Sequence, residues 1–143
     1  AIPWGRKELT APWTLPDAAE TAWEILLEIP AQQQTGGLLL QVGNCFALEL
    51  TLVSRTLHAY VKDTGEQTMQ DCGTLQLVPG APVRLQVFLD RCSAEIFADG
   101  KCLSVNVFDT APLRPVSLIP QGGTLPLQLL QVWQLQHVME PQT

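Results

Sequence analysis

Positive charge is scarce in this chain: eight Lys and Arg stand against fourteen Asp and Glu, for a net charge of −6. Such a surface has no cationic stripe with which to neutralise phosphates or lie on anionic lipid, which argues against nucleic acid or a membrane as partner. Long hydrophobic runs are also missing, none approaching the roughly 20 residues that cross a bilayer as a helix. The opening AIPWGRKELT has neither the charged start nor the apolar middle of a secretory signal peptide. The balance leans towards a soluble, cytoplasmic protein over a secreted one, but Ala1 is also compatible with a cleavage, which leaves the compartment open. Histidine occurs only as His58 and His137, and Cys45, Cys72, Cys92 and Cys102 show no CxxC spacing, so no metal and no cofactor is expected. Three full disulfide pairings are formally available. A core of this size needs no such staples, and buried or half-buried free thiols are the expectation.

What is present is apolar content, 46% of 143 residues, enough for one domain with its own core. The dominant hydrophobic period is two. In CFALELTLV, Phe46, Leu48, Leu50 and Leu52 alternate with Ala47, Glu49 and Thr51; in TLHAYVK, Leu57, Ala59 and Val61 alternate with His58, Tyr60 and Lys62. TLQLV, VSLI and TLPLQLLQVWQLQ carry the signal more weakly. Turn signals fall at Gly36-Gly37, Gly43-Asn44, Thr64-Gly65, Pro79-Gly80 and Gly122-Gly123. DAAETAWEILLEI has the composition of a helix capped by Asp17. Trp23, Ile25, Leu27 and Ile29 nonetheless alternate with Glu24, Leu26 and Glu28, and the surrounding pattern favours a strand. The expectation is an all-β, two-sheet antiparallel β-sandwich of the concanavalin or lectin-like kind, a single domain over residues 15–143 after a linker-like segment, 1–14.

The stretch VFLDRCSAEIFADGK, Val87 to Lys101, can be threaded in more detail. Asp99-Gly100 signals a type I′ hairpin, which pairs Ala98 with Lys101, Phe97 with Cys102, Ile96 with Leu103, Glu95 with Ser104 and Ala94 with Val105. A second short turn at Arg91-Cys92 pairs Leu89 with Ala94, Phe88 with Glu95 and Val87 with Ile96. Both registers place Leu85, Val87, Leu89, Ala94, Ile96, Leu103, Val105 and Val107 on one wholly apolar face, which a slip of one residue would scatter. The opposite face is mixed: Arg84, Gln86, Phe88, Glu95, Phe97, Cys102, Ser104, Asn106 and Phe108. Three of the chain's four phenylalanines lie there, a patch that calls for a cover. Phe88, Glu95, Phe97, Ser104 and Phe108 are therefore the candidate interface residues.

Asp90 and Glu95 share the mixed face, about 6 to 9 Å apart on strand geometry, a separation that overlaps those of glycosidase carboxylates. A catalytic acid, however, needs a concave, partly dry pocket, which an open sheet face does not supply. Asp90 at the mouth of a turn has the simpler role of accepting backbone N–H bonds. Neither histidine sits near a nucleophile elbow. No catalytic residue is assigned.

VRLQVFLDRCSAEIFADGKCLSVNVF resembles the signature of the C-terminal β-sandwich domain of glycoside hydrolase family 32, the invertases, levanases, inulinases and sucrose-6-phosphate hydrolases. DRCSAEIF, ADG and SVNVF carry the likeness, with Cys92 in place of a serine and Ala94 in place of a valine. LQVWQLQ, with Trp133, resembles the family's closing strand, and RKELT the segment that enters the sandwich. The resemblance implies a non-catalytic accessory module, packed against a five-bladed catalytic β-propeller of a β-fructosidase acting on sucrose or fructans, with dimer formation in some relatives. The family's catalytic motifs, Asn-Asp-Pro-Asn, Arg-Asp-Pro and Glu-Cys, do not occur in this chain. The alternative is a freestanding lectin-like module making its own fructan or sucrose contact, for which Trp4 and Trp13 are the candidate platforms.

Overall fold

In a computed structural model of the chain, the structure describes residues 8–15, 22–43, 46–61, 70–90, 93–106 and 115–135. They form thirteen strands: β1 (Glu8–Leu9), β2 (Trp13–Thr14), β3 (Ala22–Ile29), β4 (Gly37–Val42), β5 (Phe46–Thr51), β6 (Thr56–Val61), β7 (Gln70–Gln76), β8 (Val83–Leu89), β9 (Ser93–Ala98), β10 (Lys101–Asn106), β11 (Val116–Gln121), β12 (Leu125–Pro126) and β13 (Leu129–Leu135). A five-stranded sheet runs β10-β9-β8-β3-β13 and a six-stranded sheet β2-β11-β4-β5-β6-β7, with β1 and β12 paired apart. Every pairing is antiparallel. No helix among the described residues is long and apolar enough to cross a membrane.

The period-two pattern becomes two facing apolar layers. β3 buries Trp23, Ile25, Leu27 and Ile29 and leaves the residues between them half-exposed, which settles the helix-or-strand question for AWEILLEI. β8 and β9 bury Leu85, Val87, Leu89, Ala94 and Ile96; β4 and β5 supply Leu38, Leu40, Phe46, Leu48 and Leu50 from the other side. At one flank the layers meet through Leu103 of β10 and Gly73 of β7. A Cβ on Gly73 would lie 2.5 Å from Leu103 Cδ1, so any other residue there must displace the half-exposed Leu103 side chain.

The hairpin reading holds residue for residue: β9 and β10 pair as Ala98 with Lys101 through Ala94 with Val105, and β8 and β9 pair as Leu89 with Ala94, Phe88 with Glu95 and Val87 with Ile96. Asp99 and Gly100 have φ of 52° and 72°, the two left-handed positions of a type I′ turn. The Arg91-Cys92 turn itself and Val107 lie outside the described residues.

The described part of the linker-like segment 1–14 is held by the sandwich: β1 pairs with β12, β2 pairs with β11, and Leu9 joins the core. Cys72 and Cys102 are free thiols, as expected; both residues are exposed, although the Cys72 thiol itself is partly shielded. Cys102 stands on the outer face opposite Phe97. Cys72 is the extra residue of a bulge, because Gly73 pairs with Ala59 and Asp71 with Tyr60, leaving Cys72 without a cross-strand partner. Its thiol donates to the Ala59 carbonyl at 3.2 Å. Partial burial and the neighbouring Asp71 charge push that thiol above its ordinary pKa. Cys45 and Cys92 lie outside the described residues.

Candidate functional site

The outer face of the five-stranded sheet gathers most of the side chains marked as interface candidates. Strand pairing sets Trp133, Glu24, Phe88, Glu95 and Ser104 in one row across β13, β3, β8, β9 and β10. The next row runs Gln131, Leu26, Gln86, Phe97 and Cys102. Phe97 is 37% exposed although it is a large apolar side chain. Its ring meets Phe88 edge-on, with centroids 5.9 Å apart and planes at 89°, a favourable aromatic geometry that fixes both rings.

Polar side chains hold the surroundings of these rings. Gln86 Nε2 donates to Glu24 Oε2 at 2.9 Å, and Arg84 Nη1 lies 3.7 Å from Glu28 Oε2. A shallow depression of ≈ 320 Å³ opens beside Phe97, lined by Arg84, Gln86, Ala98, Asp99 and Gly100. The aliphatic face behind it is inside: Val87 and Ile96 are fully buried.

Asp90 and Glu95 are both exposed, and neither lines the depression. Asp90 N–H donates to the Ser93 carbonyl at 2.9 Å, which makes it a corner of the β8–β9 turn. The arrangement lacks the dry pocket that a glycosidase acid requires. Of the sugar-platform candidates, Trp13 is partly buried and packed against the core, and Trp4 lies outside the described residues, as does Phe108. No group of His, Cys, Asp and Glu among the described residues is arranged to hold a metal.

A family model described as "Glycosyl hydrolases family 32 C terminal" matches residues 14–134. The chain belongs to that family. It is the family's non-catalytic C-terminal module. Among solved structures it is similar to an exo-inulinase from Aspergillus awamori, at 14% identity and a TM-score of 0.66, over 91% of this chain and 28% of the inulinase. The chain thus spans little more than a quarter of that enzyme. It is also similar to toad ovary galectin in complex with thio-digalactose, at 14% identity and a TM-score of 0.56, over 87% of this chain and 100% of the galectin. A family 7 alginate lyase, A1-II', follows at 10% identity and a TM-score of 0.62, covering 94% and 75%. These likenesses show a shared sandwich fold. No curated protein sequence matches the chain.

The sequence missed one residue that organises an end of the sandwich. Arg55 is 5% exposed and has φ +52°, in a turn after β5 that contains no glycine. Its Nη2 donates to the Ala31 carbonyl at 2.8 Å, joining the β5–β6 turn to the β3–β4 loop. No signal in TLVSRTLH announces a buried arginine in a left-handed conformation.

Proposed function

We propose that this domain serves a β-fructosidase by docking against its catalytic β-propeller through the outer face of the five-stranded sheet, with Phe88 and Phe97 at the centre and Glu95 and Ser104 at the rim. The observation that carries this reading is the half-exposed, edge-packed phenylalanine pair on a sheet whose other face is already filled by the sandwich core. Phe97 is 37% exposed, so covering what remains of its ring gains about 1 kcal/mol, which favours a cover over open water. Family membership supports the propeller as that cover. A second copy of this chain is the competing occupant.

The bond cleaved in the whole enzyme is the glycosidic bond of sucrose or a fructan, by a carboxylate nucleophile and a carboxylic acid partner supplied by the propeller. This domain contributes the flank on which the propeller rests. The test is hydrolysis: the purified chain releases no fructose from sucrose, raffinose or inulin. Turnover abolished by Asp90→Asn or Glu95→Gln would overturn the reading and make those carboxylates catalytic.

A further inference from the structure

The six-stranded sheet carries a second organised cluster on its own outer face. Strand pairing sets Glu49 beside His58 beside Thr74, and in the neighbouring row Ala47 beside Tyr60 beside Asp71. The rings of His58 and Tyr60, on alternate residues of β6, are near-parallel, with centroids 6.1 Å apart and planes at 23°, so each fixes the other's orientation. A carboxylate stands on the strand to each side. Glu49 on β5 accepts the Tyr60 hydroxyl at 3.4 Å. Asp71 on β7 accepts the Gly73 N–H at 3.1 Å and lies 3.6 Å from His58 Nδ1. The Thr74 hydroxyl lies 3.0 Å from the same ring nitrogen.

These contacts organise the cluster before any ligand arrives, which lowers the entropy cost of binding. Among the described residues His58 makes its side-chain polar contacts through Nδ1, which leaves Nε2 for a ligand. Ala47 is short and 6% exposed, and it forms a floor beside the taller Tyr60 ring. A sugar ring offers a face of C–H groups, which stacks on an aromatic plane, and a rim of hydroxyls that both donate and accept. The half-exposed Tyr60 ring supplies the plane, and the flanking carboxylates and imidazole supply rim partners. Two carboxylates against one histidine set the sign of the site: it disfavours phosphorylated or uronic ligands and suits uncharged ones.

We propose that the outer face of β5, β6 and β7 is a binding site for a neutral saccharide, with the sugar stacked on Tyr60 and its hydroxyls held by Glu49, Asp71 and His58 Nε2. The site lies on the sheet opposite Phe88 and Phe97, so it is independent of the docking reading and stands or falls separately. The rival account is that these are ordinary cross-strand pairs whose only effect is to stabilise the sheet.

The experiment is an NMR titration of the isotopically labelled chain with three probes, short inulin-derived fructo-oligosaccharides, cellobiose and lactose. The proposal predicts that at least one of them shifts, saturably, the amides of Ala47, Glu49, His58, Tyr60 and Asp71. Tyr60→Ser weakens that binding by about tenfold. Glu49→Ala does the same, and it decides the matter if Tyr60→Ser does not fold. Added NaCl leaves the affinity unchanged, as a neutral ligand requires, whereas a cation on the carboxylates would be screened. Silence from all three probes, shifts centred on Trp13 or Phe97, unchanged affinity in Glu49→Ala, or a salt-sensitive Kd would each overturn the proposal.

Discussion

The Asp99 carboxylate accepts the backbone N–H of Val78 at 2.6 Å, tying the tip of a hairpin in the five-stranded sheet to the link that leaves the six-stranded one. The tie continues inward. Lys101 Nζ donates to the Gln76 carbonyl at 2.8 Å, and Gln76 Nε2 donates to the carbonyls of Ser54 at 3.0 Å and Arg55 at 3.1 Å. Arg55 in turn reaches Ala31, so one end of the sandwich is closed by a run of polar contacts that no hydrophobic pattern encodes. Asp99 thus has two tasks, since it also holds φ at +52° in the turn.

Asp99→Ala is expected to destabilise the domain by about 1 to 2 kcal/mol, from the loss of a charge-assisted bond and from strain at the left-handed position. Asp99→Asn should lose less, because asparagine tolerates that conformation and keeps an acceptor. Urea unfolding of the three proteins checks the order. An Asp99→Ala midpoint equal to that of the parent would show that the tie contributes nothing.

Two glycines should respond for different reasons. A Cβ on Gly100 meets nothing within 4 Å, yet φ is +72°, so Gly100→Val costs about 1 to 2 kcal/mol through backbone strain alone. Gly73→Ala instead drives a methyl group into Leu103, at a cost of about 1 to 3 kcal/mol. Thermal melts of Gly73→Ala, Leu103→Ala and the double variant separate the two causes. The double variant should lose clearly less than the sum of the singles. Strict additivity would mean that the two residues do not press on each other.

Arg55→Ala should cost about 1 to 3 kcal/mol. It opens a void and strips the Ala31 carbonyl of its partner, offset in part by removing a buried Nη1 that has no partner among the described residues. Denaturant unfolding measures it, and a loss under half a kilocalorie would show that water replaces the guanidinium without cost.

Much of this architecture was legible in the sequence, and the reasons are local. Asp99-Gly100 fixes one register, and the alternation of Leu85, Val87 and Leu89 with Arg84, Gln86 and Phe88 leaves only one face for the core. Trp23 to Ile29 reads as a strand for the same reason. What escaped notice depends on non-local pairing or on exceptions to pattern. Nothing in AWEILLEI says that β3 lies between β8 and β13, and nothing near Trp13 says that it pairs with β11. The bulge leaves Cys72 an exposed residue, and Arg55 occupies a conformation usually left to glycine. The proposed docking face was marked by a misfit of phenylalanines, whereas the Glu49, His58, Tyr60 and Asp71 cluster needed the pairing of β5, β6 and β7 to become a group.

The Cys72 thiol should be sluggish towards alkylation, since partial burial and the Asp71 charge both raise its pKa and so lower its thiolate fraction. At pH 8, mass spectrometry after timed iodoacetamide treatment should find Cys72 modified more slowly than free cysteine. Asp71→Asn should recover part of the rate, as it removes the smaller of the two causes. A Cys72 rate at or above that of free cysteine would contradict the assignment.

The central claim is that the Phe88 and Phe97 face docks on a catalytic propeller, and calorimetric titration tests it most directly. The partner is the catalytic domain of the proposed parent β-fructosidase, produced separately and titrated with this chain and with its Phe97→Asp variant. The account predicts a complex with the parent chain, at least about a tenfold loss of affinity in Phe97→Asp, and a variant that melts like the parent on its own. A variant that binds as tightly as the parent, a chain that binds only itself, or a Phe97→Asp domain that unfolds would contradict it.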